Sequence, residues 1–110
     1  MTRYSDRPRD PAYMSWVRRQ RCAVAVELRT PSQCGGPVEA HHAGERGFGK
    51  KAPDDTCIPL CMRHHREYHD VLGFFFLLTK AERRTMADEW VRRHRAMYAD
   101  GRSAFEDFGL

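Results

Sequence analysis

Apolar residues recur at helical spacing near both ends of the chain. Near the N-terminus, Asp10 and Pro11 predict a helix start, because Asp caps helices well and Pro is tolerated in the first turn. Tyr13 and Val17 lie on one face of this helix, which we expect to end near Gln20. The pattern therefore predicts a short amphipathic helix at the N-terminal side of the fold.

A second helix is predicted over residues 80–98. Thr79 and Glu82 have the spacing of a capping box, in which each side chain bonds the backbone N–H of the other residue. Trp90 and Met97 then fall near one face of the helix. This apolar stripe indicates a core-facing helix rather than a cofactor site.

The segment between the two helices predicts strands and one more helix. Residues 22–28 form a short apolar run that we expect to be a strand, residues 38–42 a second strand, and residues 54–60 an extended segment. Pro59 favours a helix beginning soon after it, over residues 61–71. We therefore expect a small α+β fold, with a hairpin and helix flanked by the two terminal helices.

Length and charge limit the possible functions. The 110 residues suffice for one domain, and the net charge is +4. Residues 1–30 carry seven Arg against three acidic residues, and we expect residues 1–9 to form a flexible basic arm. Such a surplus suits a polyanionic partner. No apolar run approaches the roughly 20 residues of a membrane span, and no secretory signal is evident, so we expect a cytoplasmic protein with no membrane association.

Cysteine and histidine are concentrated in one part of the chain. Five of the six His and three of the four Cys lie between residues 34 and 69. In a reducing cytosol such a mixture indicates metal binding rather than disulfides. The remaining histidine, His94, lies on the C-terminal helix, where we expect it to pack or to face solvent.

Two pairs of histidines predict a catalytic metal. His65 and His69 are spaced i, i+4, so they share one helix face and can bind one ion. His41 and His42 are adjacent on a strand and point to opposite sides, so that one can join the metal while the other faces a substrate. A three-His metal with an open position suits catalysis, and the other His could deprotonate water. Which of the two takes which role stays open.

A separate zinc site is predicted around a Cys-x-x-His pair at the helix start. Cys61 and His64 form this pair, and Cys22 and Cys34 would complete a four-ligand structural zinc. Cys57 is left over and we expect it to pack in the interior. An alternative set of Cys22, Cys34, Cys57 and Cys61 remains open.

At these residues the chain resembles the HNH (ββα-metal) endonuclease superfamily, particularly the small phage and prophage HNH proteins with a Cys/His structural zinc. The resemblance covers about residues 10–76 and is carried by residues 34–42, 51–54 and 58–69. It implies a treble-clef-like unit, within a core of residues 22–73, in which a hairpin and a helix bind a divalent metal between them. The whole chain would then be a single HNH nuclease domain.

The resemblance also implies roles for individual residues. The implied metal ligands are His41 on the first strand and His65 and His69 on the helix, with His42 as the general base. Cys61 and His64 match the second half of the zinc site.

The sequence departs from the family pattern at two points. The chain contains no Asn, so Asp54 or Asp55 would have to orient the loop and the base. The first zinc pair is usually a tight Cys-x-x-Cys, whereas Cys22 and Cys34 are twelve positions apart.

The expected activity is phosphodiester hydrolysis of DNA with low intrinsic sequence specificity, supported by Mg²⁺, Mn²⁺, Ni²⁺ or Zn²⁺. The expected phosphate contacts are Arg66 and the basic loop residues Arg46, Lys50 and Lys51. Two alternatives remain: a catalytically silent zinc module that binds DNA or protein, and a nuclease that acts only with a recombination or phage packaging partner.

Overall fold

The computed structural model describes residues 9–29, 33–44 and 52–101. This part of the chain contains four α-helices and a two-stranded antiparallel sheet. The elements are α1 (Pro11–Arg18), α2 (Ala23–Leu28), β1 (Val38–His42), β2 (Cys57–Cys61), α3 (Met62–Asp70) and α4 (Lys80–Ala99). Short 3-10 helices span Asp54–Thr56 and Gly73–Leu77. The predicted small α+β domain, with a hairpin and helix between two flanking helices, is confirmed.

Helix α1 begins as its sequence predicts. The Asp10 side chain accepts a hydrogen bond from the backbone N–H of Tyr13 at 3.0 Å, and Pro11 occupies the first turn. Tyr13 and Val17 are buried on its inner face. The cap satisfies one of the N–H groups that a helix start leaves unpaired, so it stabilises the first turn of α1.

The hairpin and α3 form one continuous unit. Val38 pairs with Cys61 and His42 with Cys57, so the start of β1 lies beside the end of β2. Cys61 ends β2 and caps α3, with its Sγ accepting from the backbone N–H of His64 at 3.4 Å. Because α3 follows β2 without a loop, the helix histidines are held close to β1.

Two predicted elements are wrong in whole or in part. Residues 22–28 are not a strand: Ala23–Leu28 forms helix α2, because a short apolar run does not distinguish a buried strand from a buried helix and alanine favours the helix. The predicted extended segment 54–60 begins with the 3-10 helix Asp54–Thr56, and the strand starts only at Cys57.

The hydrophobic core lies between β2, α2 and α4. All five β2 residues are buried, and Ile58 and Leu60 belong to one cluster with Phe75 and Trp90. The capping box of α4 is present, with Thr79 and Glu82 bonding each other's backbone N–H. Of the two settings expected for His94, the structure shows packing, because the residue is only 1% exposed.

Some predicted features lie outside the described residues. These are most of the N-terminal arm, at residues 1–8, and the loop residues Arg46, Lys50 and Lys51. In the described part of the chain, no helix combines the length and apolar character that crossing a bilayer requires.

Candidate metal centres

The four residues predicted for structural zinc converge on one point. Cys22, Cys34, Cys61 and His64 each offer a ligand atom, and these atoms all lie within 4.8 Å of one another. The Nδ1 atom of His64 lies 3.4, 3.8 and 3.2 Å from the Sγ atoms of Cys22, Cys34 and Cys61. In tetrahedral zinc sites, S and N ligands sit roughly 3.5 Å apart, given the usual metal–ligand bond lengths. These four residues, named the Cys/His cluster, therefore fit a metal ion such as zinc.

A tight loop brings Cys34 to the cluster. Backbone N–H groups of Met62 and Arg63 donate to the carbonyls of Pro37 and Gly35 at 2.8 and 2.9 Å, which ties the loop to the start of α3. Gly36 has φ +78°, and a Cβ there would lie 2.8 Å from Cβ of Met62. A side chain is thus excluded at Gly36 by both its backbone conformation and its close neighbour.

The surroundings of the cluster shift the pKa values of its side chains, and a metal ion that binds there would displace the thiol protons. Burial raises the pKa of the Cys34 thiol, and the neighbouring Cys22 adds to this effect. Burial acts to raise the pKa of Cys61 as well, but hydrogen bonds from the backbone N–H groups of His64 and Gly35 outweigh it and lower the pKa. Burial lowers the pKa of His64. The His64 ring is therefore neutral, as metal ligation requires.

Cys57 is not part of this cluster. It is fully buried and packs with Tyr13 and Val17 of α1. The alternative all-cysteine set is therefore not assembled, and the expectation that Cys57 packs in the interior is confirmed.

A second cluster joins β1 to α3. His41, His65 and His69 offer ligand atoms that lie within 4.8 Å of one another, and we name them the three-His cluster. Nδ1 of His41 is 3.1 Å from Nε2 of His65, near the roughly 3.3 Å between N ligands of a tetrahedral ion. His41 is buried whereas His69 is exposed. The donor set therefore fits a metal ion that solvent can reach.

The exposed side of this cluster opens into a groove of about 370 Å³. Arg66, one of the predicted phosphate contacts, lines this groove together with His65 and His69. The structure therefore brings Arg66 to the edge of the three-His cluster.

Glu39 is a site residue that the sequence analysis missed. Nδ1 of His65 donates to Oε1 of Glu39 at 2.8 Å, which leaves the lone pair of its Nε2 directed toward His41. A carboxylate that holds the far nitrogen of a ligand histidine orients the ring and increases its basicity. The available signal was strand alternation, because Glu39 and His41 are two residues apart and share one face of β1.

His42 lies outside the three-His cluster and pairs with a carboxylate instead. Its Nε2 is 2.9 Å from Oδ1 of Asp54. Burial acts to raise the pKa of Asp54, but hydrogen bonds from His42 and from the backbone N–H of Asp10 outweigh it, so that the pKa is lowered. Asp55 faces Arg95 at 3.7 Å. Of the two predicted orienting residues, Asp54 is the one beside His42.

The fold and these clusters define a small α+β domain with two groups able to hold a metal ion. A family model matches residues 4–75, and the chain belongs to that family, which is described as Protein of unknown function (DUF968). The matched residues include every member of both clusters.

One curated relative is similar over part of the chain. It is Uncharacterized protein YdfU of Escherichia coli strain K12, 39% identical over an alignment of 67 residues, and the match covers 56% of this chain and 17% of that protein. The chain therefore matches only a small part of YdfU. No solved structure matches the chain significantly.

Proposed function

We propose that the chain is an HNH-type metal-dependent endonuclease, a phosphodiesterase that hydrolyses DNA with low intrinsic sequence specificity. The observation that carries this proposal is the juxtaposition on β1 of two different histidines. His41 belongs to the three-His cluster, and the next residue, His42, is paired with the Asp54 carboxylate. A ligand cluster with an adjacent histidine–carboxylate pair has the groups that metal-assisted hydrolysis needs.

His42 is the proton acceptor in this proposal. The Asp54 carboxylate accepts from Nε2–H, which leaves the lone pair of Nδ1 to take a proton from the attacking water. Arg66 lies at the groove beside His65 and His69, where its guanidinium can bind a phosphate oxygen. A divalent ion in the three-His cluster would supply charge neutralisation at the scissile phosphate and the leaving oxygen.

We assign structural zinc to the Cys/His cluster. Its four donors come from three separate parts of the chain and suit a complete tetrahedral set, which would leave no open position for substrate. A zinc ion there would join α2, the hairpin and α3. All four cysteines are free thiols, which favours a reducing compartment, and we propose the cytoplasm.

A catalytically silent zinc module is the second candidate. The Cys/His cluster favours it, because structural zinc alone would account for those residues. The three-His cluster and the His42–Asp54 pair favour the nuclease, because a purely structural module needs neither of them.

The test is cleavage of supercoiled plasmid by purified, zinc-loaded protein, first without added metal and then with Mg²⁺, Mn²⁺, Ni²⁺ or Zn²⁺. We expect nicked or linear products with at least one ion, and 5′-phosphate and 3′-hydroxyl ends on a labelled oligonucleotide. The His65→Ala variant, purified in parallel, should be inactive and so excludes a contaminating nuclease. Intact plasmid with every ion would contradict the proposal and favour a silent module or a nuclease that requires a partner.

A further inference from the structure

A basic groove separates α3 from the start of α4. It has a volume of about 740 Å³ and is lined by Tyr68, Lys80, Ala81, Arg83 and Arg84; we name it the α4 groove. Three of these five residues are cationic, and none of the described residues that line the groove is acidic. The groove shares no lining residue with the one beside Arg66, which lies between Glu39 of β1 and five residues of α3.

The α4 groove lies beside the three-His cluster. The Tyr68 ring lines the groove and also contacts His41, with ring centroids 4.8 Å apart. Nη1 of Arg84 donates to the carbonyl of Ala43 at 3.5 Å, and Ala43 directly follows His42 on the chain. One wall of the groove is therefore in contact with the cluster, and another reaches the end of β1.

The charges in this groove are held in place by the fold. Nη1 of Arg83 donates to the carbonyl of Leu78 at 2.6 Å, which fixes its guanidinium beside the helix start. Two acids of α4 have partners of their own: Asp88 pairs with Arg84 at 3.6 Å, which offsets part of that charge, and Glu82 is part of the capping box. The N-terminal end of the 20-residue helix adds a further positive potential.

We propose that the α4 groove binds the sugar–phosphate backbone of the nucleic-acid strand next to the scissile phosphate. Positioned cations bind phosphates, while the aliphatic stems and the Tyr68 ring offer an apolar surface for sugars or bases. The choice of ligand rests on the proposed nuclease function. Helix α4 then forms part of the substrate surface as well as part of the core.

The test measures binding rather than cleavage, using fluorescence anisotropy of a labelled DNA duplex with zinc-loaded protein and no other divalent metal. The variant Lys80→Ala/Arg83→Ala removes two cations from the groove. The control Arg92→Ala/Arg93→Ala removes two from exposed positions farther along the same helix. For the groove variant we expect binding on the order of tenfold weaker at low salt, with the log–log salt slope reduced by about two. Equal weakening by both variants would overturn the proposal.

A footprint on unmodified protein makes the test independent of how well a variant folds. The chain has three lysines, Lys50, Lys51 and Lys80, and mass spectrometry can follow the acylation of each. Bound duplex should protect Lys80, and inorganic phosphate at the same phosphate concentration should not. Unchanged Lys80 reactivity, or equal protection by phosphate alone, would overturn the groove assignment.

The two proposals fail separately in this design. Protein that protects Lys80 but cuts no plasmid with any ion contradicts the nuclease and supports the groove. Protein that cuts plasmid while Lys80 stays unprotected overturns only the groove.

Discussion

The Nε2 atom of His42 lies 2.9 Å from Oδ1 of Asp54, and the other oxygen of that carboxylate accepts from the backbone N–H of Asp10, also at 2.9 Å. One carboxylate therefore links the end of β1 to the start of α1. Since Asp54 holds Nε2, the ring orientation is set, and Nδ1 would be the nitrogen that accepts the proton in the proposed reaction.

Replacing this carboxylate should slow cleavage without removing metal. For Asp54→Asn we expect the cleavage rate to fall by about tenfold or more. The upper limit is the roughly 10²–10⁴-fold decrease typical of losing a general base. Asp55→Asn is the matched control, because Asp55 faces Arg95 instead of His42. The measurement is the plasmid nicking rate at saturating metal. Equal rates for the two variants would show that Asp54 does not act through His42.

Glu39→Gln should weaken metal binding at the three-His cluster. The carboxylate accepts from Nδ1 of His65 at 2.8 Å, and loss of such a partner typically costs 10–100-fold in metal affinity or activity. The readout is the metal concentration that gives half-maximal nicking. Isothermal titration calorimetry measures the metal affinity directly. Glu89→Gln, an exposed position on α4, is the control. An unchanged half-saturation concentration for Glu39→Gln would contradict this role.

The two buried cysteines at the ends of β2 should behave differently. Cys61→Ser should lose zinc and unfold or fall sharply in melting temperature, because structural zinc contributes on the order of 10 kcal/mol or more. Cys57→Ala should keep its zinc and lose only about 0.5–3 kcal/mol, as for a typical core substitution. Elemental analysis and thermal unfolding measure both effects. Wild-type protein purified without chelators and containing no zinc would refute the assignment.

The elements set by local chemistry were the ones that sequence could predict. The Asp10 cap, the capping box at Thr79 and the i, i+4 spacing of His65 and His69 each act within a single turn of helix. They placed α1 and α4 correctly and put His65 and His69 on one face of α3. Helix α2 was missed because its apolar run fits either a helix or a strand, and the choice depends on what packs around it.

The partners across the fold were harder to predict. The sequence predicted that Cys22 and Cys34 share one zinc site, but the helix α2 that carries Cys22 to Cys34 was predicted as a strand. The choice of Asp54 over Asp55 depends on the 3-10 turn that precedes β2. Contacts of this kind arise from tertiary structure, where neither periodicity nor spacing carries a signal.

The most direct test of the nuclease proposal is the plasmid nicking rate of His42→Ala, measured alongside DNA binding and metal content. His42 lies outside the three-His cluster, so the variant should keep its metal and bind DNA while its rate falls about 10²–10⁴-fold. His65→Ala should instead lose both its catalytic metal and its activity. Nicking by His42→Ala at the wild-type rate would contradict the mechanism proposed for this site.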